Sequence, residues 1–195
     1  MPITEEHPLQ GQSPYSASKI GADKVIESYF KSFELPTVTL RPFNTYGPRQ
    51  SMRAVIPTVI AQLVAGKETL KLGALSPTRD FNYVQDTVNA FIAVAESTHK
   101  DILGETFNTG CGEEISIGDF VNLCCEVLDK KAEIICENER MRPEKSEVNR
   151  LLADNSRLKE FTDWTPQTSL KEGIEKVASW IKDSDYLDKA ESYHR

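Results

Sequence analysis

Apolar residues recur at helical spacing in five stretches of the chain, and these stretches predict its helices. The first covers about residues 15–33 and is stopped by Pro36. Its apolar stripe includes Ala22, Ile26 and Phe30. The other four stripes lie at 56–64, 88–95, 120–128 and 174–181. The residues placed to cap the last three helices are Asp86, Ser116 and Ser169, the last in a capping box with Glu172.

Short runs of β-branched and aromatic residues between the helices predict strands. They lie at 37–40, 81–84, 106–108 and 132–136. Strands and helices therefore alternate along the chain, which is typical of an α/β fold.

Composition and charge narrow the classes of protein that this chain can be. It has 195 residues, 39% of them hydrophobic, enough for a domain with an ordinary core. A net charge of -7 argues against general binding to nucleic acid or to anionic membranes. No apolar run is long enough to span a bilayer, and residues 1–7 do not resemble a signal peptide. We therefore expect a cytoplasmic protein with no nucleic-acid or membrane partner.

The four cysteines do not have the spacing of a metal site. They lie at 111, 124, 125 and 136, without a C-x-x-C pair, and the three histidines are scattered. We expect reduced structural thiols and no metal.

Tyr15 and Lys19 are the first candidates for catalysis, because residues four apart share one face of a helix. A nearby ammonium stabilises the phenolate form of a tyrosine. Such a tyrosine can exchange a proton with a sugar hydroxyl while a hydride moves to a nicotinamide. Taken alone, the pair is better explained as a surface contact on an amphipathic helix, because a tyrosine and a lysine four residues apart are common by chance.

Further motifs follow this pair in a defined order. Ser13-Pro14-Tyr15-Ser16-Ala17-Ser18-Lys19 precedes a strand that ends in Leu40-Arg41-Pro42-Phe43-Asn44-Thr45-Tyr46-Gly47-Pro48-Arg49. Next come Arg79-Asp80-Phe81-Asn82-Tyr83-Val84-Gln85-Asp86, Phe107-Asn108-Thr109-Gly110, Arg142-Pro143, and the segment from Asp154 to Pro166. In this order the motifs closely resemble the extended short-chain dehydrogenase/reductases that act on nucleotide sugars, the NAD-dependent epimerase/dehydratase family. The resemblance runs from Thr4 to about Lys182.

The resemblance implies a role for each matching position. Tyr15 would be the catalytic acid/base, Lys19 would hold the nicotinamide ribose, and Pro42 would line the nicotinamide pocket of bound NAD. The positions implied for the nucleotide sugar are Asn44, Val55, Arg79, Asn108 and Arg142. The two arginines would grip the diphosphate, because guanidinium is a planar fork that matches phosphate oxygens. Arg79 could instead pair with Asp80 or Asp86, and for Arg49 and Arg53 the sequence favours a surface role.

The family places a glycine-rich phosphate loop ahead of the tyrosine, and this sequence contains no G-x-G-x-x-G. We therefore expect the C-terminal part of a Rossmann-like NAD(P)-binding fold, with its N-terminal half absent. Residues 1–50 and 81–112 would be its remnant, and 51–80 and 113–195 a small α/β region that binds the nucleotide sugar. The exposed apolar surface predicts that the chain alone folds poorly, self-associates or needs a partner chain. The homodimer of intact relatives is therefore doubtful for it.

The resemblance leaves the reaction open. The stretches 4–15 and 41–57 look most like bacterial UDP-N-acetylglucosamine 4,6-dehydratases of legionaminic-type sugar synthesis, so we expect a UDP-linked sugar. A dehydratase oxidises the sugar at C4 and then loses water across C5–C6. A nucleotide-sugar 4-epimerase is the alternative, and a truncated, non-catalytic fragment that binds sugar nucleotides is a second.

Overall fold

A computed structural model of the chain describes residues 2–137 and 148–187, and in them helices and short strands alternate. The helices are α1 (Pro14–Phe33), α2 (Val55–Val64), α3 (Val84–Glu96), α4 (Ile117–Val127), α5 (Ser156–Phe161) and α6 (Leu170–Lys182). The strands are β1 (Thr39–Pro42), β2 (Asn44–Tyr46), β3 (Thr69–Leu72), β4 (Thr78–Arg79), β5 (Phe81–Tyr83), β6 (Thr106–Thr109), β7 (Ile115–Ser116), β8 (Glu133–Cys136) and β9 (Arg150–Leu151).

Most strand pairs are parallel, as a Rossmann-like fold requires. β1 pairs with β6, β2 with β5 and β3 with β8, each in parallel register. β4 lies between the antiparallel β7 and the parallel β9. Parallel strands need a crossover between them, and helices lie in the connections between these paired strands. The predicted α/β class is confirmed.

Two hydrophobic cores hold these elements together. The larger joins α2, α4 and α6 to β2 and β5, and Ile60, Phe120 and Ile174 are fully buried in it. The smaller is built around Phe107 on β6 and Leu158 on α5. The predicted division into 1–50 with 81–112 and 51–80 with 113–195 stays a prediction.

The helix α1 differs from the others because it buries none of its residues. Its apolar stripe is present, but Tyr29 and Phe33 are 49% and 73% exposed. Hydrophobic periodicity predicts that a segment is helical. It does not show whether the chain contains a surface against which the apolar stripe of that helix can pack. The predicted exposed apolar surface is therefore present in the structure.

Two sequence predictions about element ends were wrong. The strand predicted at 37–40 begins two residues later, at Thr39. Asp86 does not cap α3, whose N-cap is Tyr83. Asp86 is buried in the first turn instead, and its carboxylate accepts the backbone N–H groups of Gln167 and Thr168 at 3.1 and 3.0 Å.

Neither a membrane span nor a metal cluster is found in the described ranges. No helix there is both long enough and apolar enough to cross a bilayer. No group of three or more His, Cys, Asp or Glu side chains there is placed to hold a metal ion. All four cysteines are free thiols.

Candidate active site

The start of α1 positions Tyr15 and Lys19. Ser13 caps the helix by accepting the Ser16 N–H at 3.1 Å, and the Ser16 hydroxyl accepts the Ser13 N–H at 2.9 Å. Pro14 occupies the first turn, where its missing N–H costs nothing. In this first turn the Tyr15 side chain is 72% exposed. Lys19 Nζ lies 5.6 Å from the centroid of the Tyr15 ring.

A cleft of about 710 Å³ has Tyr15 in its wall. The predicted site residues that line it with Tyr15 are Pro42, Asn44, Val55 and Arg79. These five lie as far as 64 positions apart in the sequence and come from α1, β1, β2, α2 and β4. The fold therefore collects most of the predicted site into one concave surface.

Parallel pairing sets the positions of Asn44 and Arg79. Asn44 is opposite Phe81 in the β2–β5 pair, and Arg79 ends the strand just before β5. Arg79 Nη1 donates to the Thr78 carbonyl at 2.8 Å. The side chain of Arg79 is therefore held at the wall of the cleft.

The carboxylate of Asp80 faces away from the cleft and organises a turn. It is fully buried and accepts the backbone N–H groups of Cys111, Gly112 and Ala153 at 2.8, 3.0 and 3.2 Å. The carboxylates of Asp80 and Asp86 both accept backbone N–H groups, and the alternative in which one of them pairs with Arg79 stays open.

The buried Asp80 carboxylate also contacts the Cys111 thiol and contributes to raising its pKa. Its thiol donates to Asp80 Oδ1 at 3.1 Å. Burial, and secondarily the charge of Asp80, raises the pKa of the Cys111 thiol to about 12. The thiol is a structural donor at neutral pH.

The structure does not bring Asn108 to the cleft. Asn108 is 2% exposed on β6, and its side-chain amide donates to the Ile3 carbonyl at 3.0 Å. Its backbone N–H donates to the Glu5 carboxylate at 2.7 Å. In this geometry Asn108 holds residues 3–5 against β6, and its contact with substrate stays a prediction. Arg142 lies outside the described residues.

Several polar residues of the cleft were not predicted as site residues from the sequence, among them Arg53, Lys71 and Gln50. Arg53 precedes α2, Lys71 lies on β3, and Gln50 follows the Gly47-Pro48 turn. Lys71 Nζ lies 2.8 Å from Glu137 Oε1. Arg53 is exposed, in keeping with the surface role favoured from the sequence, and it is also among the residues that line the cleft. Residues from separate elements meet in this cleft, so a local sequence pattern does not predict them.

The first turn of α2 also faces the cleft. Its N-cap is Ala54, which has no side chain able to cap the helix. Ala54, Val55 and Ile56 all line the cleft. An uncapped helix N-terminus is the positive end of the helix dipole and suits an anion.

Comparison with known proteins identifies similar chains. A family model described as GDP-mannose 4,6 dehydratase matches residues 1–177. The dTDP-glucose 4,6-dehydratase of Escherichia coli is 31% identical over 203 residues, with 99% of this chain and 53% of that protein covered.

Two solved structures extend the similarity to three dimensions. The UDP-glucuronic acid 4-epimerase from Bacillus cereus, in complex with UDP-glucuronic acid and NAD, superposes with a TM-score of 0.84 at 29% identity. The dTDP-glucose 4,6-dehydratase from Bacillus anthracis, in complex with NAD, superposes with a TM-score of 0.81 at 28% identity. The alignments cover 94% and 95% of this chain and 57% of each of those chains. The chain thus spans about half the length of these relatives.

Proposed function

The chain belongs to the NAD-dependent epimerase/dehydratase family of the extended short-chain dehydrogenase/reductases, and we propose that it is the tyrosine-bearing part of a nucleotide-sugar 4,6-dehydratase. One observation carries the proposal. Tyr15, with Lys19 beside it, lines the same cleft as Asn44 and Arg79. An acid/base group and a phosphate-binding cation are thereby within reach of one ligand.

Tyr15 is the acid/base group of the proposed reaction. Its phenolate takes the proton of the sugar C4 hydroxyl as that carbon is oxidised to a ketone. Lys19 Nζ lies 5.6 Å from the centroid of the Tyr15 ring, so the ammonium group and the phenol stand together at the start of α1. Because Tyr15 is 72% exposed, its hydroxyl is accessible to a sugar that enters the cleft. Such positioned proton transfer accounts for a rate factor of about 10² to 10⁴.

The residues present fit one end of NAD. When bound, NAD supplies the hydride acceptor at the sugar C4. Tyr15 and Pro42 line the cleft together, and the exposed Lys19 ammonium beside them offers donors for the hydroxyls of a ribose. These three residues would hold the nicotinamide and its ribose. The chain contains no glycine-rich loop for the cofactor's phosphates, so they would have to be held by other groups.

The nucleotide sugar would lie along the rest of the cleft. Arg79 would bind the diphosphate through its planar fork, and the uncapped first turn of α2 at Val55 would face the same charge. Asn44 offers both a donor and an acceptor for the sugar or its ribose. A UDP-linked sugar agrees with the ligand of the Bacillus cereus epimerase. Asn108 and Arg142 remain predicted contacts.

The choice of reaction depends on further acid/base groups. Loss of water across C5–C6 needs an acid and a base besides the tyrosine. None of the described residues that line the cleft is Asp, Glu or His. A dehydratase would therefore need these groups from outside the described cleft. A 4-epimerase needs no such acid and base pair. The absence of Asp, Glu and His from the described lining of the cleft therefore supports a 4-epimerase as the second candidate.

Product analysis separates the candidates. The expressed protein is incubated with NAD and UDP-N-acetylglucosamine, and the sugar products are followed by NMR. A 4-keto-6-deoxy sugar supports the dehydratase, and the C4 epimer supports the epimerase. Binding of the nucleotide sugar without any product, in the presence of NAD, would contradict both and leave a non-catalytic binding fragment.

A further inference from the structure

A short segment after α6 reaches back to the wall of the cleft. The helix ends at Lys182, and the hydroxyl of Tyr186, four residues later, donates a hydrogen bond to the backbone carbonyl of Gln50. Tyr186 and Gln50 are 136 positions apart in the sequence. Because Gln50 lines the cleft, this hydrogen bond connects the segment after α6 to the candidate active site.

Tyr186 is itself held in place by α6. Its ring packs edge-on against the ring of Trp180, with the centroids 4.8 Å apart and the ring planes at 65°. Both side chains are partly buried against the larger hydrophobic core. Burial raises the pKa of Tyr186, so its hydroxyl keeps its proton at neutral pH and remains a donor.

The segment that receives this hydrogen bond is the cleft loop, residues 47–54, which joins β2 to α2. Within it Arg49 has a φ of 67°, a left-handed conformation that is unfavourable for a residue other than glycine. The Gln50 N–H donates to the Gly47 carbonyl at 3.4 Å, which is long for such a bond. The hydrogen bond from Tyr186 therefore supports a turn whose own geometry is strained.

The cleft loop contributes directly to the lining of the cleft, through Gln50, Arg53 and Ala54. The side-chain amide of Gln50 donates to the Thr45 carbonyl at 3.0 Å. Its side-chain oxygen Oε1 is buried and has no hydrogen-bond partner among the described residues. A buried acceptor without a partner costs free energy, which a donor group on a bound ligand would offset. The backbone that places this acceptor is the one that Tyr186 holds.

We propose that Tyr186 is a positioning residue, which holds the cleft loop in the conformation that binds the ligand, so that the segment after α6 sets the affinity of the cleft. The inference rests on the proposed function, because it assumes that a nucleotide sugar occupies the cleft. Tyr186 does not line the cleft and contacts it through the Gln50 carbonyl. Tyr15 is carried by α1, a separate element, so loss of this hydrogen bond should weaken binding and leave the proton transfer unchanged.

Tyr186→Phe tests the proposal, because it removes the hydroxyl and keeps the ring that packs against Trp180. Hydrogen exchange measured by mass spectrometry should speed up about fivefold in peptides that cover 47–54 and stay unchanged in peptides of α6, the factor expected of one neutral hydrogen bond. Calorimetric titration of the 195-residue chain with UDP should show an affinity about fivefold weaker. In turnover of the nucleotide sugar with NAD, KM should rise about fivefold and kcat should stay within about twofold.

Tyr29→Phe is the matched control. It removes the hydroxyl of a tyrosine whose ring also contacts an aromatic neighbour, Phe33, but which lies on α1 and does not line the cleft. This variant should leave both the exchange of the cleft loop and the affinity for UDP unchanged.

Three results in Tyr186→Phe would overturn the inference while leaving the proposed function intact. They are unchanged exchange in 47–54, an unchanged affinity for UDP, and an equal increase of exchange over the whole chain, which would mean that Tyr186 only stabilises the fold. Absence of binding by the unaltered chain to UDP, and to dTDP in a parallel titration, would contradict the proposed function together with this inference.

Discussion

Arg41 Nε lies 2.8 Å from Asp23 Oδ2, and this ion pair joins β1 to the helix that carries Tyr15. The two side chains are only 24% and 25% exposed. Asp23 follows Lys19 by four residues and Tyr15 by eight, so the pair holds the face of α1 that bears both. Arg41 also donates to the Glu5 carbonyl at 3.2 Å. Although α1 buries no residue fully, these polar contacts and the close approach of the Phe30 ring to Gly104 attach it to the rest of the fold.

Loss of the Asp23–Arg41 ion pair should increase the local opening of α1 without increasing that of the other helices. Asp23→Asn removes a partly shielded charge pair worth about 1 kcal/mol, which corresponds to about a fivefold change in local opening. Hydrogen exchange measured by mass spectrometry should therefore speed up about fivefold in peptides of α1 and remain unchanged in α2. Lys24→Gln, which breaks an exposed ion pair with Glu27 on the same helix, is the control. An equal increase of hydrogen exchange in the two variants would contradict a specific role of the Asp23–Arg41 ion pair in holding α1.

Gly173 permits a close approach between α6 and β2. A Cβ atom at position 173 would overlap the hydroxyl of Tyr46, which is 2% exposed. Gly173→Ala should lower the free energy of unfolding by about 2 kcal/mol, because the core cannot take the added atom. Gly21→Ala has open space around it and should raise stability by about 0.5 kcal/mol. Chemical denaturation measures both.

Removing the Tyr46 hydroxyl tests whether its overlap with the added Cβ atom causes the loss of stability expected for Gly173→Ala. This hydroxyl has no hydrogen-bond partner among the described residues, so Tyr46→Phe should be close to neutral by itself. Combined with Gly173→Ala, it should restore at least half of the lost stability. Additive losses in the double variant would show that the clash with Tyr46 is not the cause.

The cysteines should differ widely in reactivity. With its pKa raised to about 12, Cys111 has a thiolate fraction of about 10⁻⁴ at pH 8, and the thiolate is the reactive form. Cys136 is exposed on β8. Ellman's reagent at pH 8 should therefore give a fast phase that Cys136→Ser removes and Cys111→Ser leaves unchanged. A fast phase lost in Cys111→Ser would contradict the protonated, partly buried thiol at Cys111.

The exposed stripe of α1 should make the isolated chain associate. The rings of Tyr29 and Phe33 are tilted by 46° with their centroids 5.4 Å apart, and both side chains are exposed. The chain should bind an apolar dye and elute from a sizing column above its 21.9 kDa mass. Replacing both residues by serine should reduce dye binding and association together. A monodisperse monomer that binds no dye would contradict this expectation.

The sequence was informative where a motif fixes both residue type and local structure. Tyr15, Asn44 and Arg79 were predicted from ordered motifs and converge in one cleft. The orientation of Asn108 was not predictable, because its amide binds Ile3, 105 positions away. Lys71 lies on β3, which pairs with the distant β8, and Arg53 lies in the loop before α2; neither position carries a local motif that predicts a place in the cleft. The three- and four-residue strands β2 and β3 are too short for alternation to be recognised.

The most direct test of the central claim compares Tyr15→Phe with Tyr29→Phe in the expressed protein. Both tyrosines are exposed on α1, but only Tyr15 lines the cleft. Turnover of the nucleotide sugar in the presence of NAD is measured beside its dissociation constant. Tyr15→Phe should lower turnover by about 10² or more and leave the dissociation constant within about twofold, while Tyr29→Phe changes neither. Turnover that persists in Tyr15→Phe would contradict the assignment of Tyr15 as the acid/base of this cleft.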